Sequence, residues 1–92
     1  MTINLYLSYI PSFITKQHLH SMCANLNLFS PVNIVLKPQK NNHFNAAYVF
    51  IKRWHNCDDS RDVIRTLQKG KNAYLLFAFP IYIKCSILKK TT

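Results

Sequence analysis

Asn45-Ala46-Ala47-Tyr48-Val49-Phe50-Ile51, with its aromatic and β-branched residues, reads as a strand. Side chains along a strand point to opposite faces in turn. Ala46, Tyr48, Phe50 and Lys52 therefore share one face, and Ala47, Val49 and Ile51 the other. Far away in the chain, Leu5-Tyr6-Leu7-Ser8-Tyr9-Ile10 sets Tyr6 against Leu5 and Leu7 in the same manner. Two such strands side by side make a sheet with one apolar face. Its other face carries aromatics and lysines.

Working outward, the remaining segments supply the layer that covers the apolar face. Pro11 ends the first run. Thr15 is a good N-cap for a helix over about 16–27, with Ile14 and Leu19 placed as a hydrophobic staple. Leu19, Met22, Cys23 and Leu26 repeat at the spacing of one buried helix face. A strand over about 32–37 puts Val32, Ile34 and Leu36 on one side and Asn33, Val35 and Lys37 on the other. Residues 38–45 read as a polar loop. Asp58, Asp59 or Ser60 caps a second helix over about 60–69, with Val63, Ile64 and Leu67 as its apolar stripe. Gly70, the only glycine, stands where a left-handed residue ends a helix. Residues 73–79 are apolar and extended. A last strand, about 81–87, alternates Ile81, Ile83, Cys85 and Ile87 with Tyr82, Lys84 and Ser86. The order is βαββαβ, which predicts an α+β, ferredoxin-like sandwich: a four-stranded antiparallel sheet with both helices on one face.

Ninety-two residues make one domain, and 49% apolar residues are enough for a core. The net charge of +9 reflects scarce acids: Asp58, Asp59 and Asp62 are the only ones, and all lie near the start of the second helix. So one-sided a surface attracts polyanions. The competing explanation is codon bias: abundant Asn, Lys and Ile, with one Gly, suggest an AT-rich genome, which inflates lysine without selection for binding. Cys23, Cys57 and Cys85 are odd in number and widely spaced, which argues against a disulfide framework or a structural zinc and for a reducing, intracellular setting. No stretch is long enough to span a membrane, and no membrane partner is expected.

The strand order, together with the two aromatic strands in first and third position, resembles the RNA recognition motif family over nearly the whole chain. The family's short motif is aliphatic-aromatic-aliphatic-x-Asn-Leu; Leu5-Tyr6-Leu7 matches its first three positions. In the long motif, Ala47, Tyr48 and Val49 match. Phe44 replaces the basic residue, Asn45 the first glycine, and Ala46 one stacking aromatic. The resemblance implies a divergent member. The Trp54 segment and the compact, AT-rich style are similar to those of small proteins of large DNA viruses that look like this fold.

Carried over position by position, the resemblance makes Tyr6 and Tyr48 base-stacking residues. Phe50 and Tyr82 extend the platform on the same face. Lys37, Lys52 and Lys84 follow the outer periodicity of their strands and are candidates for phosphate contacts. Lys40, with His43, is placed in the 38–45 loop to clamp a strand. Trp54 reads as a core or rim anchor. The expected partner is single-stranded RNA or single-stranded DNA. The other reading is a protein partner or homodimer built on the apolar patch of Val35, Tyr48, Phe50 and Tyr82.

Catalysis is not expected. There is no acidic pair for general acid–base work and no glycine-rich phosphate loop. The acids all sit on one helix, so a nucleophile triad lacks its orienting member. His18 and His20 point to different sides of their helix. No cofactor or metal is expected.

Overall fold

Alternating apolar residues make the strands of this chain, and prolines and caps set where they stop. In the computed structural model, which describes residues 3–38, 43–78 and 81–88, the elements run β1 (Leu5–Pro11), α1 (Lys16–Leu26), β2 (Phe29–Pro38), β3 (Phe44–Trp54), α2 (Asp58–Gln68), β4 (Ala73–Ala78) and β5 (Ile81–Ile87). They form an α+β fold with one antiparallel sheet and two helices. The sheet has five strands in the order β2-β3-β1-β5-β4, where the sequence pattern predicts four. The added strand is the segment expected only to be extended. Ala73 and Leu75 alternate with Tyr74 and Leu76, and just two residues separate this run from β5. A connection that short favours a hairpin, and β4 pairs antiparallel with β5 from Ala73↔Cys85 to Ala78↔Ile81.

Local chemistry explains the helix ends. Thr15 caps α1 as expected, in a reciprocal box: its hydroxyl oxygen accepts from the His18 N–H at 3.2 Å, and His18 Nδ1 accepts from the Thr15 N–H at 3.1 Å. Histidine does here what glutamate or glutamine usually does. Asn27 closes the helix at φ 55, and its N–H donates to the Cys23 carbonyl. α2 corrects the expectation. It starts at Asp58 with Cys57 at the N-cap, and none of Asp58, Asp59 or Ser60 is the cap. The Ser60 hydroxyl is fully buried and donates instead to the Leu28 carbonyl at 2.6 Å, which fastens the first turn of α2 to the chain entering β2. Asp58 and Asp59 remain in the first turn, where the helix dipole favours them. Gly70 follows the helix at φ 81, as its position suggests.

The core lies between the helices and one sheet face. Leu5 and Leu7 of β1, Ile34 of β2, Ala47, Val49 and Ile51 of β3, Leu75 of β4, and Ile83 and Cys85 of β5 join Leu19, Met22 and Cys23 of α1 and Leu67 of α2 in a single cluster. Val63 packs against it half-buried. Trp54 is a rim anchor: its ring meets Phe29 edge-on at 5.0 Å, and Nε1–H donates to the Ile3 carbonyl at 3.0 Å. His55 ties the same corner. Its Nδ1 lies 2.8 Å from the Asn27 carbonyl oxygen, to which only an N–H can donate, and Nε2 pairs with the Ser30 hydroxyl at 3.1 Å. No helix among the described residues is long and apolar enough to cross a membrane.

Candidate nucleic-acid interface

With Leu5, Leu7, Ala47, Val49 and Ile51 turned to the helices, the alternate residues of β1 and β3 must face away. Tyr6 pairs directly with Tyr48 across the two strands. Their ring centroids are 5.7 Å apart with the planes tilted by 38°. Val35 of β2 stands beside Tyr48, and Ser86 of β5 beside Tyr6. Lys37, one row along, brings its ammonium to 4.9 Å from the centre of the Tyr48 ring. That is a cation–π contact, worth about 0.5–1 kcal/mol at an exposed site.

The next row departs from simple alternation. Leu7 pairs with Ala47 and Ile10 with Asn45. Ser8 and Tyr9 therefore stand together against Ala46, which is a β-bulge. Tyr9 takes φ 56, a conformation that costs a residue with a side chain roughly 1–2 kcal/mol. The bulge has two effects. Ile10, which strict alternation would turn outward, is fully buried. Tyr9, which it would turn inward, is 57% exposed. Phe44 meets the Tyr9 ring edge-on at 5.8 Å, and the Lys84 ammonium lies 5.8 Å from the ring centre. Ala46 itself is only 6% exposed although it belongs to the outer face.

The other expected residues fall around this centre. Phe50 lies half-buried on the same face, opposite Asn33. Lys84 is paired with Tyr74, and Tyr82 with Leu76, so the hairpin of β4 and β5 extends the face with further exposed rings. Lys52 is exposed but lies about 13 Å along β3 from Tyr48, at 3.3 Å per residue. There it borders a shallow depression with Ser30 and Arg53. Lys40 lies outside the described residues. His43 is exposed where β3 begins. Beside Tyr6, where β5 runs past the start of β4, an open hollow of about 440 Å³ is bordered by Lys71, Asn72, Ser86 and Leu88.

Charge on this face is unopposed. Among the described residues the ion pairs are Arg61–Asp58 and Arg65–Asp62, both within α2. No carboxylate therefore pairs with Lys37, Lys52 or Lys84 there. The thiols take no part: Cys23 and Cys85 are buried in the core and Cys57 is half-buried at the start of α2. No group of three metal-ligating side chains comes together among the described residues.

Three aromatic residues of the face escape the sequence reading. Tyr9 is placed by the bulge, and the available signal is that Leu5, Leu7 and Ile10 cannot all turn inward without one. Phe44 follows from running the β3 alternation back through Ala46. Tyr74 follows from the two-residue connection to β5. No family model, no curated protein and no solved structure matches the chain.

Proposed function

We propose that this domain binds single-stranded nucleic acid, RNA foremost, through the aromatic and basic outer face of its sheet, without catalysis. In this reading it is a divergent, ferredoxin-like RNA-recognition-motif domain carrying one additional edge strand. The observation that carries the proposal is the Tyr6–Tyr48 pair: two rings directly opposite each other on neighbouring strands, 5.7 Å apart, with Lys37 above one of them. These are the positions at which the resemblance places base-stacking residues. β1 and β3 lie side by side in the sheet, which supports the reading.

The energetics support an exchange. A base stacked on an aromatic ring contributes about 1–3 kcal/mol. The cation–π contact it displaces from Tyr48 is worth about 0.5–1 kcal/mol, and the released lysine gains a phosphate. A base on Tyr6 would turn an edge toward the hollow bordered by Asn72 and Ser86, which offer polar groups. The test is the double variant Tyr6→Ala/Tyr48→Ala, titrated with labelled mixed-sequence oligonucleotides by fluorescence anisotropy. Binding should fall about thirtyfold or more, given at least about 1 kcal/mol for each of two stacks, while circular dichroism stays unchanged. Unaltered binding at constant salt would remove the stacking role.

A second reading rests on a different feature. Tyr74, Leu76 and Tyr82 are exposed together on the β4–β5 hairpin. An apolar cluster of that kind suits a protein partner or a second copy of the chain. Sedimentation equilibrium separates the readings: a stable dimer with no oligonucleotide binding favours this one.

A further inference from the structure

Resting on the nucleic-acid reading above, we infer that Tyr9 is a third base-stacking residue, delivered by the β-bulge to the strand beside Ala46, and that Lys84 meets the phosphate of the nucleotide stacked there. Ala46 holds the position at which the resemblance expects an aromatic, yet it is nearly covered and has no ring. The bulge sets Tyr9, together with Ser8, against it in the register of β1 and β3.

Several observations converge on Tyr9. A bulky residue at φ 56 is held there against its own backbone preference, and outliers of this kind gather at sites of function. The fold does not need the ring for its core, because Ile10 fills the inward place and Tyr9 is 57% exposed. Phe44 braces one side of the ring edge-on. Lys84 stands over it, which repeats the relation of Lys37 to Tyr48. The Ala46 row is two residues from the Tyr48 row, about 7 Å along the strands at 3.3 Å per residue. That spacing suits the next nucleotide of an extended single strand rather than a second contact to the same base. The platform thus takes three bases, a number that sheets of this kind accommodate.

The test compares a uridine dinucleotide with a uridine tetranucleotide, titrated into wild type, Tyr9→Gly, Tyr9→Phe and Tyr6→Ala and followed by NMR. Glycine tolerates the positive φ, so Tyr9→Gly keeps the fold; Tyr9→Asn, which also suits that region, repeats the measurement. Tyr9→Gly should weaken the tetranucleotide about tenfold, the worth of one stack, and leave the dinucleotide unchanged. Tyr9→Phe should bind as wild type does. If Tyr6→Ala weakens both ligands and Tyr9→Gly neither, the third stacking position is wrong and the wider reading stands. Equal weakening of both ligands by Tyr9→Gly, or a Tyr9→Phe as weak as Tyr9→Gly, also overturns it. A wild-type protein that binds neither ligand overturns both readings together.

Discussion

Replacing Lys37 with glutamine and, separately, Tyr48 with alanine pulls apart two forces that act on one ring. The ammonium of Lys37 lies 4.9 Å from the centre of Tyr48, so a single assay at one salt concentration cannot tell them apart. Their salt dependence can. Each phosphate contact to a single strand contributes about −0.7 to the slope of log K against log salt. If Lys37, Lys52 and Lys84 each meet a phosphate, the wild-type slope is about −2. Lys37→Gln should bring it to about −1.4, and weaken binding about fourfold at 0.15 M salt and about eightfold at 0.05 M. Tyr48→Ala should instead lower affinity by the same factor at every salt concentration, about tenfold for a stack in the lower part of the range of about 1–3 kcal/mol, and leave the slope alone. Anisotropy titrations with one fluorescent oligonucleotide at four salt concentrations supply both slope and intercept. Parallel lines for wild type and Lys37→Gln would refute the phosphate contact. Superimposed lines for wild type and Tyr48→Ala would refute stacking, and leave charge alone as the attraction.

Other expectations concern the frame that holds the face. Ser60→Ala removes a buried hydroxyl that donates to the Leu28 carbonyl, an oxygen that also accepts from the His55 N–H. With one donor kept, the loss should be about 1 kcal/mol, seen as a melting temperature lower by roughly 4–8 °C. Burial pushes the Cys23 thiol up to about 11 and the Cys85 thiol up to about 12, the latter despite a hydrogen bond to the Ala73 backbone that pulls it down. An unfolded thiol ionises near about 8.5, so from there to about pH 11 the unfolded state sheds protons that the folded state keeps. Stability should therefore fall with rising pH in that window. Urea unfolding at a series of pH values measures this, and Cys85→Ala should remove its share. A Cβ built on Gly70 meets nothing within 4 Å, so Gly70→Ala should cost only the conformational penalty of φ 81, about 1–2 kcal/mol, read from the urea midpoint.

What the sequence disclosed depended on how regular each element is. β1 up to Leu7, the outer residues of β3 and β5, and the Thr15 cap follow from period and capping chemistry alone, and the structure has them so. The α2 cap does not follow, because Ser60 finds its partner in Leu28, thirty-two residues away. No local pattern encodes that pairing. β4 was recognisable as extended but not as paired, since an apolar run reads alike in an edge strand and in a covering segment. The candidate site was legible at Tyr6, Tyr48 and Lys37, which lie on regular strands. It was illegible at Tyr9, where one extra residue in β1 inverts the alternation on which the reading relied.

The two borders of the sheet differ in how they discourage a neighbour. β2 carries Pro31, Lys37 and Pro38, and proline and lysine are the residues that keep edge strands from pairing with other chains. β4 reads AYLLFA, with neither charge nor proline, and among the described residues it pairs only with β5. Its far side is thus a template for strand addition from another molecule. What opposes that is the +9 charge of each copy, which holds like molecules apart. Salt weakens that repulsion as surely as it weakens phosphate contacts. Concentrated samples at high ionic strength should therefore self-associate through β4, and a proline at Leu76 would be the natural guard to install.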